Sequence, residues 1–378
     1  MAAVVTGCGG PASTPAGSKA PYTISVNTDL SGPFSAVAGI PEAEGFTAYI
    51  ASLNATGGIN GHKILIQELD DRSDVQAGLA NYQQVLNSDS LGMFLDAASA
   101  VSGPVGAKAT VDKLPYSASS YNGGQGVFPY VYNITPTIAQ YMTAMIGFAS
   151  SKVTDSKGAV ALLAYDSPSV RSDTPKLQAG LEAKGFTVAY NQIVPQTAVD
   201  FSVAAGQIAS DKPAFVITRL LELQVPPFIT SLRSRGITVP ILNYGTNIAD
   251  GTVAKINDPA FFNTRYSIST LDTSVPGVVT MRQVAQQTGH AESIDFFVYS
   301  MGYVHAEVVA AAIAKCSDPC TREKLNAAFE QTAVDPHGLM AGKPGFTKDD
   351  HVMTKGVAVT VLDPAKKIAV AVPGFGFS

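Results

Sequence analysis

His305 and Glu307 flank a single residue, and Cys316-Ser-Asp-Pro-Cys320 follows closely. Histidine, glutamate and cysteine are the ingredients of a site in which zinc activates water and the glutamate moves the proton. The spacing fails that chemistry. Three residues separate the cysteines rather than two, and only a short helix separates them from His305. His305 therefore reads as a helix-surface or core histidine. The other four of the 5 histidines, His62, His290, His337 and His351, are scattered singly, and no metal cluster emerges. No GxGxxG follows a strand, and neither GxxxxGK[ST] nor GxSxG occurs. Gly338-Leu-Met-Ala-Gly342-Lys343 is one residue short of a phosphate loop, and Pro344 follows the lysine. The carboxylates form no catalytic pair by spacing. No catalytic motif is legible in these patterns, and no enzyme, no cofactor and no metal is expected.

Composition narrows the binding partner. The 378 residues suffice for two sizeable cores, and 46% hydrophobic with 15% charged residues fits a globular chain. A net charge of −5 offers no basic field for nucleic acid or anionic membrane. No apolar run reads as long enough to span a bilayer. Gly9 to Pro21 is rich in Gly, Pro, Ala, Ser and Thr, the composition of a flexible tether. Just before it, Val5-Thr6-Gly7-Cys8 resembles the lipobox of bacterial lipoproteins, which implies that Cys8 carries diacylglycerol. The charged start and most of the apolar region of a signal peptide are absent from residues 1–7. Cys316 and Cys320 could close a local disulfide, which would imply an oxidising, extracytoplasmic site; two reduced cysteines are the alternative.

The elements that must position a ligand begin at Tyr22. Tyr22 to Asn27 alternates as a strand does, and Ser31-Gly32-Pro33 breaks it. Pro41 suits a first helical turn, and Phe46, Tyr49, Ile50 and Leu53 form one buried helical face. Gly57-Gly58 ends the helix, and Ile64 to Leu69 makes a second strand, parallel to the first. The Ser31 to Gly39 loop thus lies at the carboxyl end of a strand, where open α/β sheets bind ligands. Strands and helices alternate onward through Met93 to Leu95, Val101 to Lys113, Leu114 to Ser117 and Tyr130 to Ile134. A second cycle opens at Ala159 to Tyr165, a continuous apolar run typical of a central parallel strand. It ends with a helix over Ile248 to Ile256. The last third reads as three helices, Val278 to Gln287, Phe296 to Lys315 and Thr321 to Gln331. Two strands then flank an Asp363-Pro364 turn.

Leu30-Ser31-Gly32-Pro33, the stretch Asn54 to Lys63 (NATGGINGHK) and Asp70-Asp71 together resemble the leucine/isoleucine/valine-binding branch of bacterial solute-binding proteins. Leu114-Pro115 before a Ser-rich loop, Val131 to Gln140, Leu163 to Asp166 and Asp200-Phe201-Ser202 extend the resemblance to nearly everything after Tyr22. It implies an α/β, type I periplasmic-binding-protein fold. Two Rossmann-like lobes with mostly parallel sheets are joined by three hinge crossovers, and a solute is trapped in the cleft. Residues 1–21 would be the signal remnant and tether. Lobe one would comprise 22–135 plus 270–345, and lobe two 136–269 plus 346–378. The implied partners are a small-molecule solute and the membrane permease of an ABC importer. Contact with the membrane would run through the lipid anchor alone, with no nucleic acid, and the chain would be a monomer.

The resemblance also implies the site. Lobe one would grip a carboxylate through Ser99 and Ser102 on one loop and Ser119, Ser120, Tyr121 and Asn122 on the next. Hydroxyls and helix-start N–H groups suit an anion; plain helix capping is the alternative. Lobe two departs from the amino-acid-binding pattern. The aromatics of the family fall near Val37 and Val170, and the acid that meets an amino group falls near Thr246-Asn247. Arg219, at a strand end, could bind a carboxylate bidentately, or pair with Glu222 on the rim. Tyr244 and Tyr121 could stack or offer hydroxyls, or be structural. The expected ligand is a small organic acid or amino-acid-like solute, aromatic or branched, and more specifically an acid lacking an α-amine rather than an ordinary amino acid. The competing classes are a two-lobed sensor and an α/β enzyme.

Overall fold

The computed structural model describes residues 19–119, 129–153, 158–245 and 248–376. The first sheet holds β1 (Lys19–Thr28), β2 (His62–Asp70), β3 (Met93–Asp96), β4 (Tyr116–Ala118) and β5 (Val131–Asn133), in the order β2-β1-β3-β4-β5. All four neighbouring pairs are parallel, as the first two strands were predicted to be. Parallel strands need crossovers. Here α1 (Ile40–Ala55), α2 (Val75–Leu86) and α3 (Ser99–Asp112) supply them. Pro41 occupies the first turn of α1, and Phe46 and Ile50 are buried beneath it. A π-helical turn over Ser35–Gly39 feeds directly into α1, where a loop was expected. The turn packs tightly against the chain just past β1, since a Cβ on Gly39 would stand 1.9 Å from the Asp29 carbonyl oxygen.

After α4 (Ile138–Lys152) come β6 (Ala159–Tyr165), α5 (Pro168–Glu182), β7 (Thr187–Val194), α6 (Ser202–Asp211), β8 (Phe215–Arg219), α7 (Val225–Arg233), β9 (Ile241–Asn243), α8 (Asp250–Ile256) and β10 (Phe261–Arg265). Strand β10 was not anticipated. The helices α9 (Pro276–Thr288), α10 (Phe297–Lys315) and α11 (Arg322–Phe329) follow, then the short antiparallel pair β11 (Gln331–Ala333) and β12 (Gly345–Thr347). The hairpin β13 (Ala358–Asp363) and β14 (Ile368–Ala371) closes the chain, and Lys367 N donates to Asp363 O across its turn. The second sheet runs β14-β13-β10-β9-β8-β6-β7, parallel from β10 to β7 and antiparallel at β13 and β14.

The two sheets make two lobes. Helix α10 has the length and mean hydropathy (1.4) of a membrane span, which the sequence reading did not find, but 83% of that window is buried inside the protein. It packs along α1 through glycines: a Cβ on Gly45 would lie 2.1 Å from Tyr299 O, and one on Gly302 1.9 Å from Glu42 O. Backbones that close leave no room for side chains between the helices. Three segments cross between the lobes. The first, after Asn133, is tied to the third by Asn133 N to His351 O and Met353 N to Asn133 O, both at 2.8 Å. The second, after Arg265, is held by Ile268 N to Leu339 O at 2.9 Å. Cys316 and Cys320 form a disulfide at the end of α10, with Cα atoms 5.4 Å apart.

Candidate functional site

Strand ends and helix starts of both lobes converge on a cavity of about 240 Å³. From lobe one come Phe34 just before the π-helical turn and Val37 within it, Glu42 in the first turn of α1, Ala98 to Ala100 at the start of α3, and Ser119 after β4. Asp29 shapes this wall without lining it: its carboxylate accepts from Gly32 N, Phe34 N and Ser73 Oγ. The Ser31-Gly32-Pro33 break is therefore a turn wrapped around a buried carboxylate. From lobe two come Tyr165, Ser167 and Ser169 at the start of α5, Asp173, and Arg219 at the end of β8. Tyr141 and Tyr266 close the hinge side.

Of the expected site residues, Ser99, Ser119 and Arg219 line the cavity. Ser102 does not: it lies one turn into α3, fully buried, with its N–H bonded to Ala98 O. Tyr244 does not either. It is buried beneath Arg219, whose guanidinium carbon sits 5.5 Å from the ring centroid, so it supports the arginine. Ser120, Tyr121, Asn122, Thr246, Asn247 and Cys8 lie outside the described residues. Near Val37 the aromatic contact comes from Phe34. Val170 is fully buried under α5 and leaves Ser167 and Ser169 facing the cavity.

Arg219 does not pair with Glu222. Its Nη1 donates to Asp173 Oδ2 at 3.1 Å and its Nη2 to Ser169 Oγ at 3.2 Å. Glu222 turns away to accept from Ala249 N and Thr252 Oγ1. Arg219 Nε is buried with no partner. Burial works against the Arg219 charge, but Tyr165, Tyr244 and Asp173 more than offset it, so its pKa lies above the ordinary arginine value. A planar fork with an unmatched edge suits a carboxylate.

Glu42, which the sequence reading did not single out, faces the cavity from the other lobe at 2% exposure. Burial pushes its carboxyl up to about 8; a bond from Ser119 opposes this and nearby Asp96 adds to it. The signal for it was present, since Glu42 stands one helical turn before Phe46 on the same buried face. Burial also raises Asp96 well above the usual carboxylate range. Among the described residues no group of His, Cys, Asp and Glu is placed to hold a metal.

A two-lobed chain with a polar cavity between the carboxyl ends of two sheets can now be compared with known families. The periplasmic binding protein family matches residues 21–367. The chain belongs to that family. Several solved structures share its fold. A branched-chain amino acid ABC transporter protein from Thermus thermophilus with bound valine superposes with a TM-score of 0.82 at 16% identity, covering 94% of this chain and 96% of that one. A fatty acid ABC transporter substrate-binding protein from Thermomonospora curvata gives 0.79 at 19% identity over 93% and 91%. A solute-binding protein from R. palustris in complex with 4-hydroxybenzoate gives 0.77 at 15% identity over 93% and 95%. No curated protein matches the chain by sequence.

Proposed function

We propose that this periplasmic binding protein is the extracytoplasmic receptor of an ABC importer, and that it captures a small carboxylate by closing its lobes. The observation that carries the reading is Arg219, a buried cation with an unpartnered Nε on the wall of the interlobe cavity. A carboxylate there would gain charge-assisted hydrogen bonds out of water. Valine, a fatty acid and 4-hydroxybenzoate, named for the similar proteins, share a carboxylate and little else. Tyr141, Tyr165, Tyr266 and Phe34 favour an aromatic or branched body. Ser99 and Ser119 are proposed as further contacts, with the lobe borders near 135, 270 and 345. The liganded, closed form would dock on a membrane permease as a monomer, tethered through lipid on Cys8.

Thermal-shift screening of organic acids, followed by small-angle scattering with the best hit, tests this. Compaction on binding, lost in Arg219→Met, is expected. A tight ligand without a carboxylate, or tight leucine binding with no affinity for acids that lack an amine, would refute the ligand class. Radiolabelled lipid incorporated in the full chain and lost in Cys8→Ala tests the anchor.

A further inference from the structure

The wall opposite Arg219 carries a second unmatched group. Glu42 is 98% buried by exposure, yet its Oε2 has no hydrogen-bond partner. Its neighbours explain why it stays. The backbone of Glu42 is clamped against Gly302 of α10, so the side chain cannot retreat into lobe one. Ser119 occupies one side of the carboxyl, and Asp96 and Tyr266 are the titratable groups facing it. Among the described residues the titratable groups facing Glu42 are acids, and none is a cation that would compensate its ionised form. A buried carboxyl in such surroundings is held neutral and becomes a donor. A donor sealed from water without an acceptor is a cost that a ligand can remove.

We propose that Glu42 reads the far end of the solute, donating from its neutral carboxyl to a hydroxyl or carbonyl oxygen opposite the carboxylate held by Arg219. This deepens the carboxylate reading and rests on it. The two residues belong to different lobes, so a solute with an oxygen at each end would bridge them and favour the closed form. Arg219 pairs with Asp173 at 3.1 Å on the lobe-two wall, and the Glu222 carboxylate beside it is taken up by Ala249 N and Thr252 Oγ1. A zwitterion would need Glu42 ionised beside Asp96.

Isothermal titration of the full chain with phenylacetate, para-hydroxyphenylacetate and para-(aminomethyl)phenylacetate tests the proposal. The hydroxylated acid should bind at least about tenfold tighter than phenylacetate. Its enthalpy at pH ~7 should be the same in buffers of different ionisation heat, because Glu42 keeps its proton. Glu42→Gln should retain part of the preference through its amide N–H, whereas Glu42→Leu should lose the preference for the hydroxylated acid over phenylacetate. Tightest binding of the aminomethyl acid with release of about one proton, an undiminished preference in Glu42→Leu, or no binding of any of the three would overturn it. The importer-receptor reading would survive each of these results and fall only with the acid screen and the scattering.

Discussion

Arg219 and Asp173 meet at 3.1 Å on the lobe-two wall, and Asp173 is shared with Lys176 at 3.6 Å. The aspartate orients the guanidinium and also competes with any incoming anion. Replacing Arg219 with Met removes charge-assisted hydrogen bonds, so affinity for a carboxylate should fall by about 10- to 100-fold. Asp173→Asn keeps an acceptor for Nη1 but removes the competing charge, so affinity should rise. Titration with the best acid and with its neutral primary amide separates the two effects. The amide should be nearly indifferent to Arg219→Met.

The contact between α1 and α10 should tolerate no added methyl. A Cβ on Gly302 would fall 1.9 Å from Glu42 O and one on Gly45 2.1 Å from Tyr299 O, backbone atoms that cannot swing aside. Gly302→Ala should cost about 1–3 kcal/mol or more, read as a lower urea midpoint. Gly251→Ala in α8, where nothing lies within 4 Å, is the matched control. It should be neutral or stabilising by up to about 1 kcal/mol.

How much of this was legible depends on how local the cause was. Strand β6 runs Ala159–Tyr165, the span its apolar run predicted, because a strand covered on both faces writes its burial into every residue. Strand β10, Phe-Phe-Asn-Thr-Arg, was invisible because three of its five buried residues are polar, and Arg265 is buried only through partners far along the chain. The β11–β12 ladder pairs three residues with three, too few for periodicity to show. At the site, Arg219 stood out as a charge ending an apolar strand. Asp173 did not, because α5 brings it to the cavity only once lobe two has folded; Glu42 was overlooked although its place one turn before Phe46 on a buried face was readable.

Stability should decline as pH rises above about 6.5, with Glu42 among the causes. Burial raises Glu42 from 4.5 to about 8, so its penalty begins as the unfolded chain ionises and is complete above the folded value. Asp71, raised by burial to about 6, has spent its penalty by then, and Glu307, raised to about 7, adds to the early part. His305 acts in the opposite direction. Burial lowers it to about 3, so it destabilises the fold only as pH falls below its ordinary 6.5. Between pH 6.5 and 8.5 Glu42 alone should therefore cost the ligand-free protein on the order of 2 kcal/mol, and Asp96, raised by burial as well, acts in the same direction. Urea unfolding at both pH values should show a loss in the wild type that is smaller by about that amount in Glu42→Gln.

Arg265 and Asp250 anchor the second crossover. Arg265 Nη1 stands 3.0 Å from Asp250 Oδ1, and both side chains are 1% exposed. Arg265 also donates from Nη2 to Ile248 O at 2.7 Å and stacks 5.0 Å over Phe297 of α10, so it touches the other lobe. Asp250 accepts from Ala369 N at 2.8 Å and from Ser269 Oγ just past the hinge. The pair therefore ties β10, β14, α8 and the crossover at one point. Desolvating two charges largely cancels their attraction, but leaving one of them alone does not. Arg265→Met or Asp250→Leu should each cost about 3–5 kcal/mol, whereas the double variant should cost clearly less than their sum. If the two losses simply add in urea unfolding, the residues act independently and the ion pair is not what fixes this hinge.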